Sequence, residues 1–277
     1  MRVKSIGWQT DLTLRRLEGA EIVEGEEHLV VRSAENPGFW WGNFILVDAP
    51  PKPGDADRWI GQFNAAFPDA GHVAIGIDSP SGQRGAIEEL AALGMRTDVY
   101  TVLSTATVRR PSREPPAATF RRVAGDGDWR KATDLWVAND DLRDTPGHRE
   151  FVKRRLHAAR RVCEQGHGAW FGAFREGEMH AGLGIFRAGP GLARFQAVDT
   201  HPAHRRQGLA SHLLFTAGQY ALTELGASTL LIYADPEYHA IGIYRSLGFS
   251  DREQHVQLER PQRQTQPARL CRKGSSI

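Results

Sequence analysis

Cysteine is nearly missing from this chain. Cys163 and Cys271 are the only two in 277 residues and lie far apart, which excludes a disulfide framework and leaves no zinc-ligand spacing. Long apolar runs are missing too. No stretch approaches the ~18 consecutive apolar residues of a membrane helix, and the opening MRVKSIGWQTDLTLRR lacks the continuous apolar segment of a signal peptide. Neither sign of charge is in excess: 35 Lys and Arg face 33 Asp and Glu, for a formal +2. No global field therefore selects a nucleic acid or a membrane surface. Two phosphate-binding signatures, G-x-x-x-x-G-K-[ST] and G-x-G-x-x-G, are also absent. These absences point to a cytoplasmic protein in a reducing setting, with no membrane partner and no legible metal site.

What is present is an ordinary globular composition, 40% hydrophobic and 25% charged, of a length suited to one large domain or two of common size. The stretch STATVRRPSREPPAAT (104–119) has three prolines, three arginines and no apolar period, so it divides the chain as a linker, centred on 107–117. Before it, residues 1–106 read as strands at 28–33, 43–49, 72–78 and 99–103 alternating with helices at 55–67 and 84–94. After it, residues 118–260 read as a strand near 119–123, helices at 127–139 and 147–164, and a hairpin over 169–189 turning at Glu176-Gly177. A strand at 195–199, a helix at 207–224, a strand at 229–234, a helix at 237–247 and a last strand at 254–260 follow. The layout is α/β with a mixed sheet covered by helices. Residues 261–277 are polar and read as a flexible tail.

The stretch RRQGLASHLL (205–214) stands where a strand, FQAVDTHPAH, hands over to a helix whose apolar positions Leu209, Leu213, Leu214, Ala217, Tyr220 and Ala221 recur at helical spacing. A helix start leaves backbone N–H groups without partners and carries partial positive charge, so it favours an anion. Gly208 and Ala210 are small enough for a ligand to approach that backbone, and Arg205 and Arg206 add donors suited to phosphate. Together these residues make a pyrophosphate cradle.

The pattern R-x-x-G-x-A at Arg205, Gly208 and Ala210, between strand and helix, resembles the acetyl-CoA loop of the GNAT superfamily of N-acetyltransferases. A second stretch, EYHAIGIYRSLGF (237–249), is similar to that family's closing motif, N-x-x-A-x-x-x-Y-x-x-x-G-F: Ala240, Tyr244, Gly248 and Phe249 match, with Glu237 where the family has asparagine. The resemblance spans about half the chain. It implies a mixed, mostly antiparallel sheet flanked by helices, with acetyl-CoA as co-substrate, no metal, and an amine as acceptor. By the same resemblance the main chain of Val198, Asp199 and Thr200 pairs with the pantetheine arm. The N–H groups of Arg206, Gln207, Gly208, Leu209, Ala210 and Ser211 hold the pyrophosphate beside Arg205, and Tyr244 protonates the departing thiolate.

An ammonium acceptor must first lose a proton. Asp199, His201 and Glu237 are the candidate bases, and the sequence does not choose among them or ordered water. Tyr244 also reads as a core aromatic in register with Ala240 and Leu247. The basic helix 148–162 reads first as a solvated face, with an acidic substrate or nucleic acid as alternatives. The aromatic stretch NPGFWWGNF (36–44) reads as packing or as the lining of a substrate pocket.

The order from residue 43 looks like the latter half of the same fold, and LAALGM (91–95 with Leu90 before Ala91) resembles SLGF. The segment that follows its strand is PPKPGDADRW, without R-x-x-G-x-A, and proline has no N–H to offer a phosphate. The expectation is a tandem protein, monomer or homodimer, with a degenerate first domain and a competent second one. A non-catalytic acyl-CoA sensor of the same fold is the alternative.

Overall fold

The computed structural model describes residues 1–114, 116–139 and 146–261. In chain order its elements are α1 (Ile6–Leu17), β1 (Glu21–Glu24), β2 (His28–Arg32), β3 (Asn43–Val47), α2 (Ala56–Ala66), β4 (His72–Ile77), α3 (Ile87–Ala92), β5 (Arg96–Thr105), β6 (Thr119–Arg122) and α4 (Gly125–Asn139). There follow α5 (Pro146–Glu164), β7 (Gly168–Arg175), β8 (Glu178–Gly189), β9 (Leu192–Thr200), α6 (Leu209–Thr223), β10 (Thr229–Ala234), α7 (Ala240–Ser246) and β11 (Ser250–Pro261). The described chain divides into two compact units, residues 1–102 together with 253–261, and residues 103–252. No helix among the described residues is long and apolar enough to cross a membrane. The 261–277 tail, apart from Pro261, lies outside the described residues.

In the first unit β2 pairs antiparallel with both β1 and β3, β3 runs parallel to β4, and β4 pairs antiparallel with β11. The last strand, read from sequence as the end of the second segment, thus joins the first unit, with Val256 opposite Ile77 and Leu258 opposite Ile75. Alternation identifies a strand and its buried face but not its neighbour. Helix α1 and the edge strand β1 have no counterpart in the sequence reading. The buried side of α1 mixes Trp8, Leu12 and Leu14 with Thr10, Asp11 and Arg15, which blurs the 3.6-residue apolar period. Its first turn is closed by the unit's own acids: Gly7 N–H donates to Glu253 at 2.6 Å, and Lys4 and Ser5 N–H donate to Asp78 at 2.7 and 2.9 Å. The NPGFWWGNF stretch packs inside this unit. Phe44 is fully buried, Trp40 stacks on His72 at 5.1 Å, and Trp41 Nε1 donates to Glu259 at 2.8 Å.

In the second unit the strand order is β10, β9, β8, β7, β6, parallel between β10 and β9 and antiparallel elsewhere. The β7–β8 hairpin turns where expected, at Glu176 and Gly177, both with positive φ (51° and 84°), the geometry that lets a two-residue turn follow the strand twist. Along β8, Ala181, Leu183 and Ile185 pack into one core with Leu209, Leu213, Leu214 and Ala217 of α6. The alternate face meets α4, where a Cβ on Gly182 would stand 3.1 Å from Leu135. Val108, in the segment read as a linker, is buried against the α6 glycine Gly218, and Arg109 N–H donates to Leu247 O at 2.8 Å. On α5, Arg149 pairs with Asp134, Arg154 with Glu150 and Arg160 with Asp126 and Glu164, so much of its basic face is already matched by acids.

Candidate functional site

The parallel pair β9 and β10 is joined only at one end. Thr229, Leu230 and Leu231 of β10 face Leu192, Ala193 and Arg194 of β9, yet β10 runs on to Ala234 and β9 to Thr200. On its other side β9 shifts register against β8 between the Gly182 and Gly184 positions, and Ala197 takes φ 47°. One extra residue on β9 makes a bulge, which bends the strand. Beyond Arg194, main-chain groups on the β10 side of β9 lie outside the ladder among the described residues, and Val198, Asp199 and Thr200 are on this open half.

A 3-10 turn (Pro202–His204) carries the chain from β9 to the loop before α6. Arg206 and Gly208 both have positive φ, 64° and 82°. For arginine this is a strained conformation that the surroundings must enforce. The enforcement is visible: Arg205 Nε donates to Thr200 O at 3.2 Å, its Nη2 donates to Asn139 Oδ1 at 2.8 Å, and Arg175 Nη1 donates to Gln207 Oε1 at 2.6 Å. Gly208 is the N-cap of α6, and a Cβ there would meet only His212 Nδ1 and Pro116 Cδ, at 3.8 and 4.0 Å. The first intrahelical bond is His212 N–H to Gly208 O at 3.2 Å, so the N–H groups of Leu209, Ala210 and Ser211 precede the ladder and have no acceptor within the helix. No acid stands in the first turn, while Arg206 is exposed beside it. The field at this helix start is positive and its amides are open to an anion.

The residues expected from sequence are therefore brought together unequally. Residues 205–211 form one continuous loop and helix start, with the Arg205 guanidinium spent on holding the loop to α4 and β9. Tyr244 lies on α7, 4% exposed within the core beside Ile241, Leu247 and Phe249. Asp199 is 9% exposed. Glu237 is exposed on the turn before α7, its N–H donating to Asp235 at 2.9 Å.

Sequence reasoning missed His180. It sits on β8, where His201 N–H donates to its carbonyl at 2.9 Å, and its ring lies 3.8 Å from that of His204, which is 5.4 Å from His201. Burial, then His204 and Arg175, hold the His180 imidazole below its ordinary pKa; burial, then His204 and Arg205, do the same for His201. The only signal available in sequence was the hairpin register that carries β8 back alongside β9. His212 stands apart, its Nδ1 3.0 Å from Gly208 O.

The fold agrees with what comparison with known proteins finds. Residues 133–249 match the model of the acetyltransferase (GNAT) family. A GCN5-related N-acetyltransferase from Kribbella flavida superposes with TM-score 0.66 at 17% identity, over 94% of this chain and 97% of its own. A functionally unknown conserved protein from Staphylococcus epidermidis gives 0.68 at 10% identity, over 88% and 95%. A tandem GNAT protein from the clavulanic acid biosynthesis pathway, solved without acetyl-CoA, gives 0.51 at 15% identity, over 93% and 94%. At these identities the likeness establishes fold. No curated protein sequence matches the chain. Residues 133–249 belong to the GNAT acetyltransferase family, and the protein carries this acyl-transfer domain in the second of its two units.

Proposed function

We propose that the protein is a cytoplasmic N-acetyltransferase that moves an acetyl group from acetyl-CoA to an amine. The observation that carries this reading is the helix start at Gly208: a left-handed glycine with open space at its Cβ position, followed by three N–H groups that precede the helical ladder. These residues fit a pyrophosphate. Their donors are main-chain, Arg206 stands beside them, and the first turn of α6 contains no acid. Arg206 adds an exposed cation. The open half of β9, with Val198, Asp199 and Thr200, offers main-chain groups for an extended amide-containing arm.

Acetyl-CoA, when bound, supplies an activated thioester whose carbonyl an amine attacks directly. Asp199 on β9, His201 just beyond it and Glu237 before α7 are the candidate groups to accept the proton that an ammonium acceptor must shed, with ordered water as the alternative. Tyr244 donates its phenolic proton as the C–S bond breaks, so that the leaving sulfur departs as a thiol. No enzyme nucleophile is required. Cys163, buried so that its thiol is pushed up to about 12, has no thiolate to offer near neutral pH.

One observation favours a second reading, a non-catalytic acyl-CoA sensor: Tyr244 is 4% exposed and packs as a core residue. Calorimetric titration of acetyl-CoA, followed by a panel of primary amines scored by thiol release, tests both. Binding with amine-dependent release supports the enzyme, binding without release from any amine class supports the sensor, and no binding removes both.

A further inference from the structure

The function proposed above uses His201 only as a candidate base and gives no role to His180 and His204, whose rings cluster with it. These side chains come from β8, the end of β9 and the turn beyond it, with ring centroids 3.8 Å apart for His180 and His204 and 5.4 Å for His201 and His204. The cluster is tied to the anion loop through two arginines. Arg205, which lowers the proton affinity of His201, leads directly into the loop and is bonded to Thr200 O and Asn139. Arg175 of β7, which acts the same way on His180, holds Gln207 in the loop at 2.6 Å. Among the described residues Glu178, at the start of β8, is an acid that raises the proton affinity of His180, and Lys131 of α4 approaches that carboxylate at 3.9 Å. Around these imidazoles positive charge dominates.

An anion landing on residues 206–211 would offset that positive field. We infer that the His180–His201–His204 cluster is a proton-loading part of the anion site, taking up a proton when a phosphorylated ligand occupies the loop, so that ligand affinity is coupled to pH. The inference rests on the reading of the loop as a pyrophosphate site. Two imidazolium rings 3.8 Å apart would repel each other, so the cluster takes up about one proton, not three.

The sign follows from linkage. In the free protein burial and neighbouring cations keep His180 and His201 neutral at neutral pH. The bound anion raises their proton affinity. Binding therefore tightens as pH falls from the bound-state value toward the free-state value, and levels off once the free protein is itself protonated.

The test is calorimetry with dephospho-CoA, whose pyrophosphate diester does not titrate between about pH 5.5 and 8. It is run on the full chain in two buffers of different ionisation enthalpy. The expected result is uptake of about one proton and affinity rising by up to about tenfold per pH unit through that window. The double variant His180→Asn/His204→Asn loses the slope while binding at about pH 8 persists. His180→Gln alone, which should flatten the slope in part, serves if the double variant fails a circular-dichroism check of folding. Wild-type binding with no buffer-dependent heat, or a full slope retained in the variants, overturns the inference and leaves the pyrophosphate site standing. No wild-type binding at any pH overturns both.

Discussion

Each unit passes from a strand that pairs with a parallel neighbour, through a turn, into a helix, and the two turns have opposite electrostatics. In the second unit Arg205 and Arg206 lead into α6, whose first turn has no acid. In the first unit the turn between β3 and α2 contains Pro50, Pro51 and Pro53, which have no N–H. Gly54 N–H donates to the Glu89 carboxylate at 2.8 Å, Lys52 N–H to Asp55 at 3.0 Å and Asp55 N–H to Lys52 O at 3.0 Å, while the N–H groups of Ala56, Asp57 and Arg58 precede the α2 ladder as those of residues 209–211 do in α6. Asp57 stands in the first turn of α2. A phosphate would meet the carboxylates of Asp55, Asp57 and Glu89 there, which costs more than the dipole of one helix start returns.

The difference extends along the strands. β3 and β4 stay paired to the last residues, Val47 opposite Ile77, with Asp78 N–H to Val47 O beyond them, whereas β9 and β10 part after Arg194 and Leu231. The helix after each parallel strand ends alike. Met95 N–H donates to Leu90 O and Phe249 N–H to Tyr244 O, past left-handed Gly94 and Gly248. In this shared motif Leu90, fully buried, stands where the second unit has Tyr244. The same strand, turn and helix order thus occurs in both units, with strands that part and a phenol in only one of them.

Four substitutions sharpen this contrast. Tyr244→Phe, which gives the second unit the apolar character of Leu90, is expected to lower kcat by about 10² to 10⁴ with acetyl-CoA affinity unchanged, read by steady-state kinetics beside calorimetry. Gly208→Glu puts a carboxylate at the helix start, as Glu89 does in the first unit, on a residue whose φ of 82° favours glycine. Acetyl-CoA affinity should fall at least about 100-fold in a protein that remains folded. Gly76→Ala acts on packing in the first unit. Its Cβ would stand 2.5 Å from the Trp8 ring, and denaturant unfolding should show a loss of about 1 to 3 kcal/mol with acetyl-CoA affinity intact. Smallest is Glu89→Gln, which weakens the charged acceptor at Gly54 on an exposed turn. It should cost about 1 kcal/mol or less and confer no second ligand site, since the prolines and Asp55 remain.

The second unit was more legible in sequence than the first, for physical reasons. Its helix α6 has a clean apolar stripe and its turn residues are those that a glycine N-cap and a two-residue hairpin demand. Arg205, Gly208 and Ala210 are therefore legible in sequence as a strand-to-helix turn. Helix α1 was illegible because Asp11 and Arg15 are buried on the face that should have been apolar. The partner of β11 could not be read, because strand alternation has no address. His180 was missed because its meeting with His201 and His204 depends on how β8 returns beside β9. The split of β9 from β10 depends on a bulge at Ala197, a residue with nothing unusual in its type.

The central claim is that one of two similar turns offers its amides to a phosphorylated ligand and the other does not. Amide hydrogen exchange of the full chain, with and without acetyl-CoA, reads both turns at once. The account predicts slowed exchange over residues 206–211 and no change over 52–57. Protection at 52–57, or protection at neither turn under saturating acetyl-CoA, would contradict it.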